Sequence, residues 1–404
     1  MDRFIVISSD CHAGPLTKNY RDYIDPQYRE LFDAAVPMQL EAAAIAEKSF
    51  LIKDINDEWR SGIERQLTGA WDHAERIRML DGDGIAGEVI YPDGLTERNA
   101  PPFGVGLNTP TKDIAPELIW AGARAHNRWL AQFCANAPER HHGVAITPLI
   151  WGVEEAVREA RWAKANGLGS VMIPTLVGDH PHYHHDKYDP FWAVCEELGL
   201  VVNIHSGAAP HQTFFGQNFP VTDPHLTGGM GAYVSEIMFW SWRPVTFLIW
   251  GGVFERFPRL RVVVCETGTN WALAAYLGIL DHQYYDAQAS SKLGNFRDHL
   301  SMSPSQYFRR NVGIGASCIY RADAAGGNGF DTAQLMWGSD YPHPEGSWPQ
   351  THQHYRDTFH GLPEQNIAAM LGENAIRFYN FDRNKLAAIA QRIGPKKNDF
   401  AAAA

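Results

Sequence analysis

Short apolar runs alternate with longer stretches of helical periodicity along almost the whole chain. The short runs fall at 4–8, 87–91, 143–148, 170–174, 200–204, 261–265, 312–314 and 335–338. They are rich in Val, Ile and Leu, too short for helices and bounded by turn residues, which predicts strands buried on both faces. Helical patterns occupy 74–80, 114–136, 153–165, 190–198, 233–257 and 271–285, with further segments after Arg321 and Pro363. Strand and helix in alternation imply parallel strands joined by helical crossovers. Eight such units predict an α/β protein, a closed (β/α)8 TIM barrel. An open doubly wound sheet would need a topological switch point, and the chain carries no glycine-rich dinucleotide fingerprint.

On this reading residues 1–382 form one domain, with insertions at about 13–72 and 206–249 after strands one and five. Residues 383–404 are the end of a C-terminal helix and a frayed alanine tail. Both insertions follow the catalytic-face ends of strands, where they suit a lid or a subunit contact. The Gly- and Pro-rich stretch 94–111 reads as a loop over the same face.

Composition narrows the partners. The 404 residues are 45% apolar and 20% charged, with a formal charge of -11, which argues against nucleic acid as a partner. No window is long and apolar enough for a membrane span, and the N-terminus lacks a leader pattern. The five cysteines, Cys11, Cys134, Cys195, Cys265 and Cys318, are scattered in mostly apolar runs and read as reduced thiols, consistent with a cytoplasmic protein. A small-molecule substrate and a homo-oligomer, most simply a dimer, are expected, with a hetero-oligomer as the other option.

Chemistry gathers at strand ends. The run Leu335-Met336-Trp337-Gly338-Ser339 stops at Asp340, strand one is followed by Asp10-Cys11-His12, and strand five by His205. Carboxylate and imidazole at barrel strand ends suit a divalent metal: zinc, manganese or iron. Residues two apart in an extended segment point the same way, so Asp10 and His12 would act together. Each residue also has a bland role: Asp10 and His12 as caps of the following loop, His205 as a buried histidine bonded to backbone, Asp340 as partner to a turn.

The segments Ile7-Ser8-Ser9-Asp10-Cys11-His12, Arg78-Met79-Leu80-Asp81-Gly82-Asp83-Gly84-Ile85, Asn127-Arg128-Trp129-Leu130, Phe257-Pro258-Arg259-Leu260-Arg261-Val262-Val263, Trp337-Gly338-Ser339-Asp340-Tyr341-Pro342-His343 and Leu371-Gly372-Glu373-Asn374-Ala375 occur in that order. Together they resemble the amidohydrolase-related group of the metal-dependent amidohydrolase superfamily, the branch holding aminocarboxymuconate semialdehyde decarboxylase-like enzymes. The resemblance implies metal ligands at Asp10, His12, His205 and Asp340. It departs twice from the group's pattern. Asp10 stands where many members have histidine, and Glu266 stands at the sixth strand where its decarboxylases usually present one. The extra carboxylates harden the site, and Glu266 suits a ligand to a second ion or a general base; it would equally cap the helix at Trp271.

The missing histidine weighs against decarboxylation and towards hydrolysis. The expected activity is therefore a metal-dependent hydrolase acting on a small organic acid, an aromatic compound or an activated (thio)ester. One or two metal ions would activate water, Asp340 or Glu266 would accept its proton, and His343 would stabilise the oxyanion or protonate the leaving group. Non-oxidative decarboxylation of a hydroxy-aromatic or related acid is the alternative. A dinuclear oxygenase and a non-catalytic barrel subunit come after it. Arg76, Arg78, His211, His225 and Arg243 are candidates for a substrate-carboxylate clamp, while the His180–His185 tract and His282 read as unrelated to the metal.

Overall fold

A computed structural model describes residues 2–50, 57, 60–92, 99–107, 114–206, 226–267, 271–286, 292–317, 319–326 and 332–401. Eight parallel strands follow one another in chain order: β1 (Ile7–Ala13), β2 (Gly87–Pro92), β3 (His141–Ile146), β4 (Ser170–Met172), β5 (Val201–His205), β6 (Arg261–Cys265), β7 (Val312–Ser317) and β8 (Leu335–Gly338). Almost every strand residue is buried, as expected where side chains fill the barrel on one face and meet helices on the other. The (β/α)8 architecture expected from the periodicity is the fold.

The barrel closes between β1 and the residues just past β8. Asp340 N–H donates to the Asp10 carbonyl and His12 N–H to the Tyr341 carbonyl, both at 2.8 Å, and Cys11 bridges Tyr341 in parallel register. This seam requires close approach: a Cβ on Gly338 would lie 2.7 Å from the Asp10 Cβ, so only glycine fits there.

Six of the expected helices are found, two of them, Val153–Ala165 and Trp271–Tyr285, with the expected bounds and the others with shifted ends. Proline at the first turn starts Pro116–Cys134, whose buried face carries Ile119, Trp120, Leu130 and Phe133. Asn127 on that face holds the top of β3, donating to the Ile146 carbonyl at 3.0 Å and accepting the Ile146 N–H at 2.7 Å. The long helix expected at 233–257 instead runs Leu226–Trp250, because Gly252 takes φ 65° and ends it before the short turn Val253–Arg256. The segment after Arg321 forms only Arg321–Ala324.

The periodicity missed other helices. Arg29–Phe50 lies inside the first insertion, where Phe32 joins Tyr20, Ile24, Phe103, Ala121 and Ala125 in a second small core. Pro304–Asn311 carries a capping box between Ser303 and Gln306 that was legible as S-x-x-Q. Arg383–Ile393, where the end of a C-terminal helix was expected, follows an Asp382 N-cap, and the chain beyond it packs Phe400 edge-on to Phe4 at 5.3 Å. Residues 207–225, and with them His211 and His225, lie outside the described residues, as does Cys318. The cysteines Cys11, Cys134, Cys195 and Cys265 are buried and unbridged. Among the described residues no helix is long and apolar enough to cross a membrane.

Asp83 ends the helix His73–Asp83, and its carboxylate accepts Thr351 Oγ1–H at 2.7 Å. Burial pushes its carboxyl up to about 6. Its native form therefore binds a proton more tightly than the unfolded chain does, and its contribution to stability falls as pH rises from about 4 to about 6. A shift of this size corresponds to about 3 kcal/mol, which partial solvent contact reduces to roughly 1–2 kcal/mol. Asp83→Asn is expected to raise stability by that amount in urea melts at pH 7.5 and to leave it unchanged at pH 4. An equal gain at both values would rule out the ionisation.

Candidate metal centre

The sequence reading placed Asp10 and His12 beyond strand one. They lie within it, since β1 continues to Ala13 through a register shift between Ser8 and Cys11. Such a bulge re-aims side chains, and here it turns Asp10 and His12 together into the barrel mouth. His205 is the last residue of β5. Glu266 and Asp340 directly follow β6 and β8, and both adopt the left-handed conformation, with φ of 53° and 59°. Neither is glycine or asparagine, so the backbone there carries strain of order 1–3 kcal/mol, a cost that structures retain chiefly at functional sites.

The four expected ligands converge. His12 Nε2 is 3.4 Å from Asp10 Oδ1 and 3.1 Å from Asp340 Oδ1, and His205 Nε2 is 3.4 Å from Asp10 Oδ1. Donor atoms sharing one cation at bond lengths of about 2.0–2.2 Å stand roughly 3.0–3.5 Å apart, so each of these contacts has the spacing of neighbouring ligands. The groups whose potential ligand atoms all lie within 4.8 Å of one another divide the four, Asp10 going with His205 and Cys265, and His12 with Asp340 and His343. All four side chains are buried, and His12 Nε2 and both Asp340 carboxylate oxygens lack a hydrogen-bond partner. Buried polar atoms left in that state are costly unless an ion completes them.

Outer contacts fix the imidazoles. His12 Nδ1–H donates to the Pro92 carbonyl at 3.0 Å and His205 Nδ1–H to the Ser206 carbonyl at 3.1 Å, which leaves each Nε2 as the inward lone pair. Ser317 Oγ–H donates to Asp10 Oδ2 and Ser206 Oγ–H to Glu266 Oε2. Sequence reasoning missed both serines, which sit among small residues with no motif of their own.

The electrostatics call for positive charge. Burial opposes ionisation of Asp10, yet His205 and His12 hold its carboxyl well below the usual range. Burial and His343 press His12 down, but Asp10 and Asp340 overcome them and lift its pKa to about 10. A cation in the set would displace that proton, as metal binding to histidine does. Cys265 lies beside Asp10 and His205, but burial pushes its thiol far up, so it offers no thiolate.

Glu266 and His343 face the same mouth. His343 is buried, stacks on His12 with centroids 3.8 Å apart, and places Nδ1 3.3 Å from Asp340 Oδ1. Glu266 Oε2 lies 3.4 Å from His205 Nδ1. Burial and the carboxylates Asp340, Asp10 and Glu345, against the pull of His205, push Glu266 up to about 7. Glu345, unmarked in the sequence reading, joins Glu266, Asp340 and His343 in one group of potential ligands.

The described clamp candidates point elsewhere. Arg76 is fully buried and grips Glu88. Arg78 pairs with Glu75, and Arg243 lies at the surface near His182. The His180–His185 tract packs outside the centre, with His182 and His184 stacked on Phe247, and His282 falls in the last turn of Trp271–Tyr285. A narrow cleft of about 20 Å³, lined by Leu107, Ile146, Pro148, Trp151, Met172 and Pro174 among others, opens beside His205.

A barrel with a buried histidine and carboxylate set at the C-terminal ends of its strands defines a metal-dependent (β/α)8 enzyme. A family model described as "Amidohydrolase" matches residues 86–381, and the chain belongs to that family. It is 27% identical over 225 residues to gamma-resorcylate decarboxylase of Rhodococcus jostii, an alignment covering 53% of this chain and 63% of the relative. It is 30% identical over 216 residues to the decarboxylase orsB of Emericella nidulans, covering 51% of this chain and 59% of the relative. The chain thus spans about three fifths of these relatives' lengths. Among solved structures, 5-carboxyvanillate decarboxylase LigW of Sphingomonas paucimobilis superposes with TM-score 0.64 at 21% identity, covering 94% of this chain and all of that one. The 5-carboxyvanillate decarboxylase of Novosphingobium aromaticivorans, complexed with manganese and 4-hydroxy-3-methoxy-5-nitrobenzoic acid, gives 0.65 at 17% identity over 93% and 96% of the two chains.

These relatives correct the expected hydrolase activity. Both curated proteins similar in sequence are decarboxylases, so the alternative reading displaces the leading one. The error lay in the weight placed on one position. Glutamate at the sixth strand leaves Asp10, His12, His205 and Asp340 in place at the barrel mouth.

Proposed function

We propose that the chain catalyses metal-dependent, non-oxidative decarboxylation of an aromatic acid carrying a hydroxyl next to the carboxylate. The similarity in sequence to two decarboxylases carries this reading, and the buried histidines and carboxylates at the barrel mouth support it. Asp10, His12, His205 and Asp340 hold the metal, for which two carboxylates beside two imidazoles favour manganese or iron over zinc. Bound there, a divalent cation supplies positive charge against the substrate's carboxylate and hydroxyl oxygens and against the charge that builds on the ring.

The remaining work falls to side chains. The apolar cleft beside His205, between Trp151, Met172 and Pro174, lies where it would take the ring once its walls part, turning the carboxylate towards the donor set and keeping water from the reacting carbon. His343, stacked on His12 and set against Asp340, delivers a proton to the ring carbon that bears the carboxylate. The C–C bond then breaks, its electron pair restores the aromatic ring, and CO2 leaves.

Protein freed of metal by chelation and reloaded with manganese is expected to release CO2 from 2-hydroxybenzoates, with activity falling at least about 100-fold when the metal is removed. Release of CO2 at the same rate by the metal-free protein, or none from any hydroxybenzoate after reloading, would overturn the proposal.

A further inference from the structure

The narrow cleft beside His205 bears on the far side of the substrate. Its walls come from three neighbouring strands and the loops that follow them: Leu107 after β2, Ile146 and Trp151 at β3, Met172 and Pro174 at β4. His205 belongs to the same lining, which joins the cleft to the donor set. A ring that turns its carboxylate and neighbouring hydroxyl to the donors therefore directs its opposite edge between these walls.

The walls offer that edge little but hydrocarbon. Among the described residues that line the cleft, none carries a carboxylate, an ammonium or a guanidinium. The two hydroxyls are already used, Thr147 Oγ1–H donating to the Ala145 carbonyl at 3.3 Å and Thr175 Oγ1–H to the His205 carbonyl at 2.7 Å. The backbone is engaged as well, with Thr147 N–H on the Met172 carbonyl at 2.9 Å and Ile173 N–H on the Asn203 carbonyl at 3.0 Å. As it stands, the cleft's 20 Å³ has room for one group of water or methyl size, and walls of this kind lack the two to four polar partners that hold a water. Met172 is unbranched and Leu107 is half-buried on a loop, so side-chain rotation widens the space for a ring edge.

We propose that the cleft selects 2-hydroxybenzoates bearing a small alkyl group, one or two carbons, at the ring positions away from the carboxylate, with Leu107 and Met172 as the specificity-determining residues. A methyl group there replaces water contact with apolar contact. A hydroxyl at the same position loses its water and finds no group waiting for it, although a pocket of hydrocarbon rejects an added hydroxyl by no more than about 100-fold. That the substrate is an acid rests on the decarboxylase reading above; the preference of the cleft for an apolar edge does not.

Binding and turnover test the two separately. Manganese-loaded protein is expected to bind 3-methylphenol at least about 10-fold more tightly than 1,3-dihydroxybenzene by isothermal titration calorimetry, and to show a KM for 2-hydroxy-4-methylbenzoate lower than that for 2,4-dihydroxybenzoate by a similar factor. Leu107→Asn, at a half-buried loop position, and Met172→Gln each put an amide into the wall and should bring both ratios close to one, which separates the choice made by the cleft from the phenols' own difference in affinity for water. Ratios unchanged in both variants, a native protein that prefers the dihydroxy compounds, or one that binds neither phenol overturns the proposal. A preference between the phenols that collapses in the variants, in a protein that releases no CO2 from either acid, keeps the cleft and removes the decarboxylase reading instead.

Discussion

Replacing Asp340 by alanine is expected to lower kcat/KM for CO2 release by about three orders of magnitude or more and to strip the protein of bound manganese. The size follows from the position of the carboxylate. Asp340 lies 3.1 Å from His12 Nε2 and 3.3 Å from His343 Nδ1, so it links the donor set to the proposed proton donor. Removing a ligand costs more than the 10–100-fold typical of an outer partner, because it takes away both a bond to the ion and its charge. The fold should survive, since the seam bonds at Asp340 come from its backbone N–H. Its left-handed backbone suits alanine less well than aspartate, so stability should fall by about 1 kcal/mol at most, too little to account for the lost activity. Full metal retention with unimpaired turnover in Asp340→Ala would dismantle the centre as described.

Arg76→Met is expected to cost about 3–5 kcal/mol of unfolding free energy, the range seen when one partner of a buried ion pair is removed. Arg76 and Glu88 are both 0% exposed and meet through Arg76 Nε, 3.0 Å from each Glu88 oxygen, and through Nη2 at 2.6 Å. Glu88 also lies 2.9 Å from His141 Nδ1. Burial works against the Glu88 carboxylate, but Arg76 and His141 hold its pKa well below the usual range. That depressed value makes the pair's stabilisation complete above the ordinary glutamate range and lost as pH falls further into acid. Without Arg76 the carboxylate stays buried and is left with His141. The double variant Arg76→Met, Glu88→Gln should recover much of the loss, whereas equal destabilisation of single and double variants would show that packing, not charge, is at stake. Arg76 Nη1 also donates to the His12 carbonyl at 2.8 Å, so manganese affinity should fall in the single variant as well.

The barrel was legible because each strand is a short apolar run with its own punctuation, and β6 and β8 have the bounds read from the sequence. β1 was cut short for a physical reason: Asp10 and His12 break the apolar pattern because they face the mouth, not because the strand ends. Helix Arg29–Phe50 was missed because it packs on a small separate core and carries Pro37 within it. The donor set showed itself through residue type at strand ends. Glu345 did not, since a glutamate in a Pro- and Gly-rich loop reads as solvated until Asp340 is placed beside it. Arg76 showed charge without its partner; that Glu88, twelve positions on, would take it from any substrate depended on how a helix lies against β2.

The seam has a consequence for the order of folding. Ser8 and Ser339, 331 positions apart, touch across it, and the backbone bonds that join β1 to the end of β8 are made by Asp10, His12 and Asp340 of the donor set together with Tyr341. Loop-closure entropy makes a contact of such sequence separation costly, so it is expected to form only when the intervening units are in place. A nascent or half-assembled ring therefore holds His205 and Glu266 but not the pairing of Asp10 with Asp340. The metal proposed for the mouth would therefore stabilise the closed ring alone, so its supply would act on assembly as well as on the proposed chemistry.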